Sequence, residues 1–365
     1  MKILIIISQI ITGIVFTFSG IVKAIDPTGT QIKFEDYFHA MGLELMIPTA
    51  LFFSFLMNAA ELITGLMLLF NVLPKFTSWI ALGFLAIFTP VTLWLAVANP
   101  VSDCGCFGDA ITLTNWQTFG KNIILLIFIL IIFINRKNIS SYFKQKISLF
   151  IFGGFIVISF LFEFYNYNNL PIVDFRPYKV GVNIFKNATT PPDAPKDIYE
   201  TILIYKNKKT GEKKKFTLEN YPQDTLTWEF AETINNLIKK GYEPPIHDFV
   251  ITDENQDEIT KQILSDKNTS YIIVSYELES GNYKYIEEIK KITEHCKKNN
   301  LNVYCFTASS EENIKSYKQI LPKNIQFCTA DKKMLKTMVR SNPGLVVIKN
   351  GIIKGKFHFG NFKIL

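Results

Sequence analysis

The residues best suited to chemistry lie between Asn99 and Asp109, in the run Asn-Pro-Val-Ser-Asp-Cys-Gly-Cys-Phe-Gly-Asp. Cys104 and Cys106 are the only cysteines among the first 295 residues, and a single glycine separates them. Only a thiolate attacks a disulfide, so a redox pair needs two sulfurs within bonding reach in an accessible place. Gly105 lets the backbone turn tightly enough to close that small ring. A disulfide over so short a loop is expected to be strained, and therefore prone to exchange. The same residue types leave two other roles open. Both sulfurs could be buried small side chains, or they could bind a metal with Asp103 and Asp109. Two thiolates alone make a weak metal site, so thiol redox is the leading reading and no metal is expected. Cys104 and Cys106 are then the catalytic candidates, with Asp103, Gly105, Phe107, Gly108 and Asp109 supporting the loop.

The elements that must hold this loop are membrane helices. The sequence is 48% hydrophobic, and Ile, Leu, Phe, Val and Ala dominate its first 170 residues while Lys, Asn, Glu and Asp dominate the rest. Ile3 to Val22 is an uncharged run of the length needed to cross ~30 Å of hydrocarbon, and without a clear cleavage site it is expected to stay as a first span. Further spans are expected from Pro48 to Phe70, Phe76 to Ala98, Trp116 to Ile134 and Ile147 to Tyr165, which makes five. Between the first two, Phe34 to His39 suggests a short interfacial helix. The second span carries Asn58 and Glu61, and an ionisable residue at that depth is a functional candidate, although hydrogen bonding between helices would account for it equally.

Charge orients the bundle. The connection from Asn135 to Lys146 holds Arg136, Lys137, Lys144 and Lys146 and no acid, whereas the cysteine loop holds two acids and no base. Positive connections stay cytoplasmic. The N-terminus is thus expected inside, with the cysteine loop and everything after residue 166 outside. Residues 1–170 hold nine Lys and Arg against eight Asp and Glu, so most of the net charge of +7 lies in the second part. Its lysines are interleaved with acids and form no basic stripe beside stacking aromatics, which argues against nucleic-acid binding.

Leu170 to Tyr178 reads as an extended, proline-punctuated tether. Within residues 199–242, Thr201 to Tyr205 suggests a strand, Lys208 to Glu212 a hairpin turn, and Trp228 to Lys240 an amphipathic helix ended by Gly241. From 243 onward strands and helices alternate. Strands are expected at Tyr271 to Tyr276, Leu301 to Thr307 and Ile325 to Cys328, with helices at Tyr283 to Lys298, Glu311 to Ile320 and Lys332 to Val339. A hairpin around Asn350-Gly351 closes the domain. Such alternation predicts a twisted sheet covered on both faces. The fold class expected is an α-helical membrane bundle of five transmembrane helices followed by a soluble α/β domain.

Two resemblances extend this reading. The run Asp103 to Asp109, followed by Leu113-Thr-Asn-Trp116, resembles the DoxX-like membrane family that includes MauE-type methylamine-utilisation proteins. Ser19 to Pro27 and Glu61 to Gly65 resemble the same family, over roughly residues 1–140, with residues 141–168 as a fifth transmembrane helix. The resemblance implies a protein of the bacterial cytoplasmic membrane that aids disulfide formation in an exported client or redox partner. A methylamine-utilisation scaffold with structural cysteines is the alternative. The bundle is also similar to quinone-linked disulfide oxidoreductases, which would admit a quinone, but this chain has one cysteine pair in its membrane part rather than two. No other cofactor is evident.

Residues 243–365 resemble the thioredoxin/peroxiredoxin superfamily. Pro245 to Asp253 is similar to its entry strand, and Ser341-Asn-Pro-Gly344 matches the place of its cis-proline, making Pro343 the candidate. Where that superfamily carries its active cysteine, this chain reads Ser275 to Asn282 without one, which implies a partner-binding domain with no thiol chemistry of its own. Cys296 sits late on a helix and Cys305 and Cys328 lie in strands. These two would pair only if their strands were neighbours, and buried free thiols are expected. His247, His295 and His358 are scattered.

Overall fold

The computed structural model describes residues 2–191, 193–239, 241–246, 249–280 and 285–363. His247 and the expected helix start at Tyr283 lie outside them. The chain forms two compact units, one of residues 1–182 with 249–365 and one of residues 183–248.

Six helices open the first unit: α1 (Lys2–Ile25), α2 (Pro27–Ala40), α3 (Ala50–Leu69), α4 (Pro74–Ala98), α5 (Asn115–Ile134) and α6 (Gln145–Asn168). A 3₁₀ turn, Glu44–Thr49, leads into α3. All but α2 are long and apolar enough to cross a bilayer, which gives five candidate spans among the described residues. Helices α1 and α3 approach closely because glycines face each other's partners. A Cβ on Gly20 would lie 2.6 Å from the Leu62 backbone, and one on Gly65 would collide with Thr17. Small residues that let backbones meet are the usual seam between membrane helices, so the segments Ser19–Pro27 and Glu61–Gly65 pack on each other.

The helices alternate in direction and place two loops at opposite ends. At one end the Asn71 amide donates to the Ser140 carbonyl at 2.7 Å and the Ser141 hydroxyl to the Asn71 carbonyl at 3.0 Å, tying the basic connection to the turn after α3. At the other lie α2, the cysteine loop and the C-terminal domain. Helix α2 starts at Asp26, whose carboxylate accepts from the Gly29 N–H at 3.0 Å. It is longer than the interfacial segment expected around Phe34, because Pro27 at its first position pre-sets the helical turn.

The C-terminal domain is built from β4 (Ile251–Thr252), α8 (Thr260–Ser265), β5 (Thr269–Val274), α9 (Ile286–Lys298), β6 (Asn302–Thr307), α10 (Glu311–Lys318), β7 (Gln326–Ala330), α11 (Lys332–Met338), β8 (Gly344–Lys349) and β9 (Ile352–His358). The sheet order is β4-β7-β6-β5-β8-β9. Strands β5, β6 and β7 run parallel, while β4, β8 and β9 are antiparallel to their neighbours. Asn350 and Gly351 both have positive φ, 50° and 70°, as the two-residue hairpin requires. The Asn342–Pro343 bond is cis. The order and that bond are compatible with a thioredoxin-like fold.

The tether after α6 is not a free linker. Arg176 is only 2% exposed, and its guanidinium binds Asp174 at 2.7 and 2.9 Å. Lys356 of β9 reaches the same carboxylate at 2.6 Å. Burial works to raise Asp174, but the two cations prevail and hold it near 2. Backbone bonds join Gly181 and Val182 to Ile353, so the segment lies against β9.

In the second unit a short helix, α7 (Ile184–Ala188), precedes β1 (Ile198–Asn207), β2 (Lys213–Thr217) and β3 (Trp228–Lys239), ordered β2-β1-β3. The amphipathic helix expected from Trp228 is therefore a strand. Phe230, Ile234, Leu237 and Ile238 fit helical spacing, but β3 pairs antiparallel with β1 from Ile198↔Lys239 to Asn207↔Trp228. A long-range ladder outweighs a local periodicity of this length.

Candidate functional site: the cysteine loop

The loop hangs between two defined helix ends. Helix α4 stops at Asn99 in the left-handed region, φ 47°, and the Asn115 amide donates to the Asn99 side chain and the Val101 carbonyl, both at 2.9 Å. Helix α5 starts with a capping box in which Thr114 and Gln117 satisfy each other's backbone N–H. The residues between are held from three sides. The Tyr37 hydroxyl donates to the Cys104 carbonyl and the Ser19 hydroxyl to the Cys106 carbonyl, each at 2.5 Å. Asp103 accepts from the Gly105 N–H at 2.8 Å and forms an ion pair with Lys33 at 2.7 Å. Phe107 packs on Phe18, 5.6 Å between centroids, with the Lys121 ammonium 4.8 Å from its ring centre.

Gly105 has φ +64°, and a Cβ there would lie 2.8 Å from Cγ of Lys33. Gly105→Ala is thus expected to cost about 1–2 kcal/mol of backbone strain and to push Lys33 away from Asp103. A lowered melting temperature checks this, and an unchanged one refutes it.

The two thiols are hydrogen-bonded to each other and titrate as a pair. That bond lowers Cys106 to about 6; burial opposes it, and the Lys121 and Lys23 ammonium groups reinforce it. The same bond, together with burial, raises Cys104 well above its ordinary value. A lowered thiol is a thiolate above its pKa and loses that form as pH falls through it. Alkylation of Cys106 is therefore expected to be half-maximal near pH 6, against ~8.5 for an ordinary thiol. Site-resolved mass spectrometry over a pH series measures it, and equal ordinary profiles for both cysteines would contradict the asymmetry.

Below the loop, Lys23 and Glu61 form an ion pair at 2.7 Å inside the bundle, with side chains 7% and 14% exposed. The Asn58 amide donates to the Lys23 carbonyl at 3.2 Å and to Ser54. Glu61 is thus partnered, by a residue that the sequence marks only as the end of a span.

Two cavities flank the loop. An apolar cleft of about 220 Å³ runs down between the helices from Cys104 and Cys106, past Lys23, Glu61 and Lys121, among Phe34, Phe84 and Phe88. A second chamber of about 130 Å³ lies on the other side, where Asp26, Asp109, Arg176 and Arg340 meet Val22, Val173 and Phe175. Gly105, Thr30, Lys23 and Lys33 line both.

The roof of the chamber is the C-terminal domain. Arg340 binds Asp26 through Nε at 2.9 and 3.1 Å and through Nη2 at 2.7 Å. Lys333 pairs with Asp36 at 2.8 Å and Lys336 with Glu35 at 3.4 Å. In the cysteine-free loop before α9, the Ser275 hydroxyl donates to the Asn342 side chain at 3.0 Å, and the Asn342 amide donates to the Glu277 carbonyl at 2.8 Å. Hydroxyl and amide groups occupy the place beside Pro343. Residues 281 and 282 of that loop lie outside the described ones.

The remaining candidates do not gather here. Cys296, Cys305 and Cys328 are free and buried. Cys305 stands opposite Phe327 and Cys328 opposite Phe306, in adjacent strands. His295 bonds Asn299, and His358 accepts from the Gly360 N–H. Among the described residues no cluster of His, Cys, Asp and Glu forms a metal site. Sequence reasoning missed Ser19, Lys23, Lys33, Tyr37 and Lys121; lysines inside apolar runs were the available signal. It also passed over Glu163, wholly buried in α6, whose carboxylate has no hydrogen-bond partner among the described residues.

Fold and site together define a multi-pass membrane protein with a paired-thiol loop beneath a docked α/β domain. Residues 1–135, which carry α1 to α5 and the loop, match the family model of methylamine utilisation protein MauE. Residues 199–240 match that of a domain of unknown function. No curated protein and no solved structure matches the chain.

Proposed function

We propose that the chain is a membrane thiol/disulfide factor in which Cys104 and Cys106 cycle between dithiol and disulfide. The observation that carries the proposal is the placing of two free, half-buried thiols in one anchored loop, with the Lys121 and Lys23 ammonium groups acting on Cys106. The asymmetry assigns roles. When a partner thiolate opens the disulfide, the sulfur of lower pKa leaves faster, so Cys106 departs and Cys104 holds the partner.

The opposed acidic and basic loops support an orientation in the bacterial cytoplasmic membrane with the cysteine loop and the C-terminal domain outside. There disulfides persist, and an exported protein is the client. The family's description ties it to methylamine utilisation, and an accessory that forms disulfides in an exported component joins that description to the thiol pair. The C-terminal domain, without a cysteine beside Pro343, orients the client or caps the loop.

Alkylation trapping in intact cells tests the proposal. With a small disulfide added as oxidant to activate Cys104, Cys106→Ser should retain a client on Cys104 as a mixed disulfide, and the double serine variant should lose function. A pair fixed permanently in one state, with the double variant still functional, would leave the scaffold reading in its place.

A further inference from the structure

We propose that α2 couples the docked C-terminal domain to the cysteine loop, and that an acidic segment of a partner protein opens the loop by drawing the domain's basic residues away from α2. The proposal rests on the thiol reading for its purpose, but the coupling itself is read from thiol accessibility and not from redox turnover.

The residues of α2 divide the helix into three faces. At about 3.6 residues per turn, Lys33 and Tyr37 share one side, Phe34 and Phe38 a second, and Glu35 with Asp36 the third. Each side meets a different part of the molecule. Lys33 binds Asp103 at 2.7 Å and the Tyr37 hydroxyl donates to the Cys104 carbonyl at 2.5 Å, so the first side holds the cysteine loop. Phe34 and Phe38 both pack on Phe53 of α3, 6.1 Å between centroids. Glu35 and Asp36 pair with Lys336 and Lys333 of α11, while Asp26 at the head of the helix binds Arg340.

The three grips differ in kind. Ring packing is the sum of many weak contacts and tolerates a small turn of the helix, whereas the hydrogen-bonded ion pairs and the hydroxyl bond are directional. With the domain docked, Glu35 and Asp36 fix the rotation of α2, and Lys33 and Tyr37 stay on the loop. Once those acids lose their partners, α2 turns on Phe53 and carries Lys33 and Tyr37 off the loop. Cys104 and Cys106 are half-buried in the docked arrangement, so the movement gives a bulky reagent access to them.

Charge names the partner. Lys333 and Lys336 on α11, with Arg340 just past its end, form a basic row that the chain's own acids cover. What competes with Asp36, Glu35 and Asp26 for that row is another set of carboxylates, carried by an acidic stretch of a partner protein. Its way in is Lys333, 58% exposed, and its last contact is Arg340, 5% exposed. Displacement thus begins at the weak, solvated pair and ends at the buried one.

The test uses the full chain in nanodiscs, reduced, with a bulky maleimide as probe and site-resolved mass spectrometry as readout. Lys333→Glu with Lys336→Glu should speed alkylation of Cys104 and Cys106 about tenfold, within the ~5–150-fold usual for coupling between sites. Adding Glu35→Lys and Asp36→Lys restores opposite charges across the contact and should return the rate to that of the unaltered chain. Tyr37→Phe should speed alkylation by itself and add little to the double reversal, because both act through α2. A short glutamate-rich peptide should speed alkylation of the unaltered chain saturably, and a neutral peptide of the same length should not. Unchanged alkylation in a chain whose α11 exchanges hydrogen faster overturns the coupling, and so does a charge-swapped chain that alkylates as fast as the double reversal. Unchanged exchange in α11 of the double reversal overturns the contact on which the coupling rests. An inert acidic peptide overturns the choice of partner. A chain gated in this way that never forms a Cys104–Cys106 disulfide removes the thiol reading and leaves the coupling standing.

Discussion

Arg340→Ala is expected to release the C-terminal domain from the bundle at a cost of about 3–5 kcal/mol, the range for breaking a buried ion pair from one side. The side chains of Arg340 and Asp26 are 5% and 18% exposed, so the stranded carboxylate would have little water to replace its fork of hydrogen bonds. Of the two neighbouring pairs, Lys336–Glu35 is longer at 3.4 Å, and Lys333–Asp36 is the exposed one. Lys333 is 58% exposed, and exposed pairs contribute about 0–1 kcal/mol. A loss of that size changes the docked fraction more than a hundredfold, and hydrogen exchange in α2 and α11 reads it directly.

Asp26 also caps α2, so Asp26→Ala removes two interactions while Asp26→Asn keeps the cap and removes the charge. A cycle of Arg340→Ala with Asp26→Asn isolates the pair. Its pH dependence has a definite sign. Burial works to raise Asp26, yet the charge and hydrogen bonds of Arg340 outweigh it, and the net shift is downward. The stabilisation is therefore complete above the unfolded carboxyl value of ~3.9 and lost as pH falls through the lower folded value, so the contribution of this pair should not vary around neutrality. A coupling below about 1 kcal/mol would contradict this account.

The second large effect belongs to Lys23→Met. It strands Glu61 in the bundle interior, again with a penalty of about 3–5 kcal/mol, measured by unfolding in detergent. Replacing both partners, Lys23→Met with Glu61→Leu, should restore most of the stability, because well-packed apolar groups often substitute for a buried pair without loss. That double variant also separates structure from function. If it folds and its thiols keep their alkylation profile, the pair serves packing. If it folds while the Cys106 profile moves toward that of an ordinary thiol, Lys23 acts on the sulfur across the space between them.

Much of this was legible in the residues. Hydropathy alone places all five spans within a few positions, since a continuous apolar run of about twenty residues satisfies its backbone in lipid as a helix. The strand-helix alternation of the last part was readable for the same reason: buried parallel strands leave short apolar runs. What escaped were partnerships across distance. Lys23 looks like a span terminus because its partner is 38 residues away. The acids of α2 look like an interfacial face, whereas Asp26 finds Arg340 across 314 residues. Strand β3 escaped for a related reason, its neighbour being chosen by sheet pairing and not by its own periodicity.

The anchoring of the cysteine loop has one more implication. The hydroxyls of Ser19 and Tyr37 grip the carbonyl oxygens of Cys106 and Cys104, and the Tyr37 hydroxyl also reaches the Cys104 thiol. The main chain of both cysteines is thereby clamped. If the pair cycles as proposed, the backbone of the loop would hold its place while the S–S bond forms or breaks. The loop is thus a fixed frame for its two sulfur atoms.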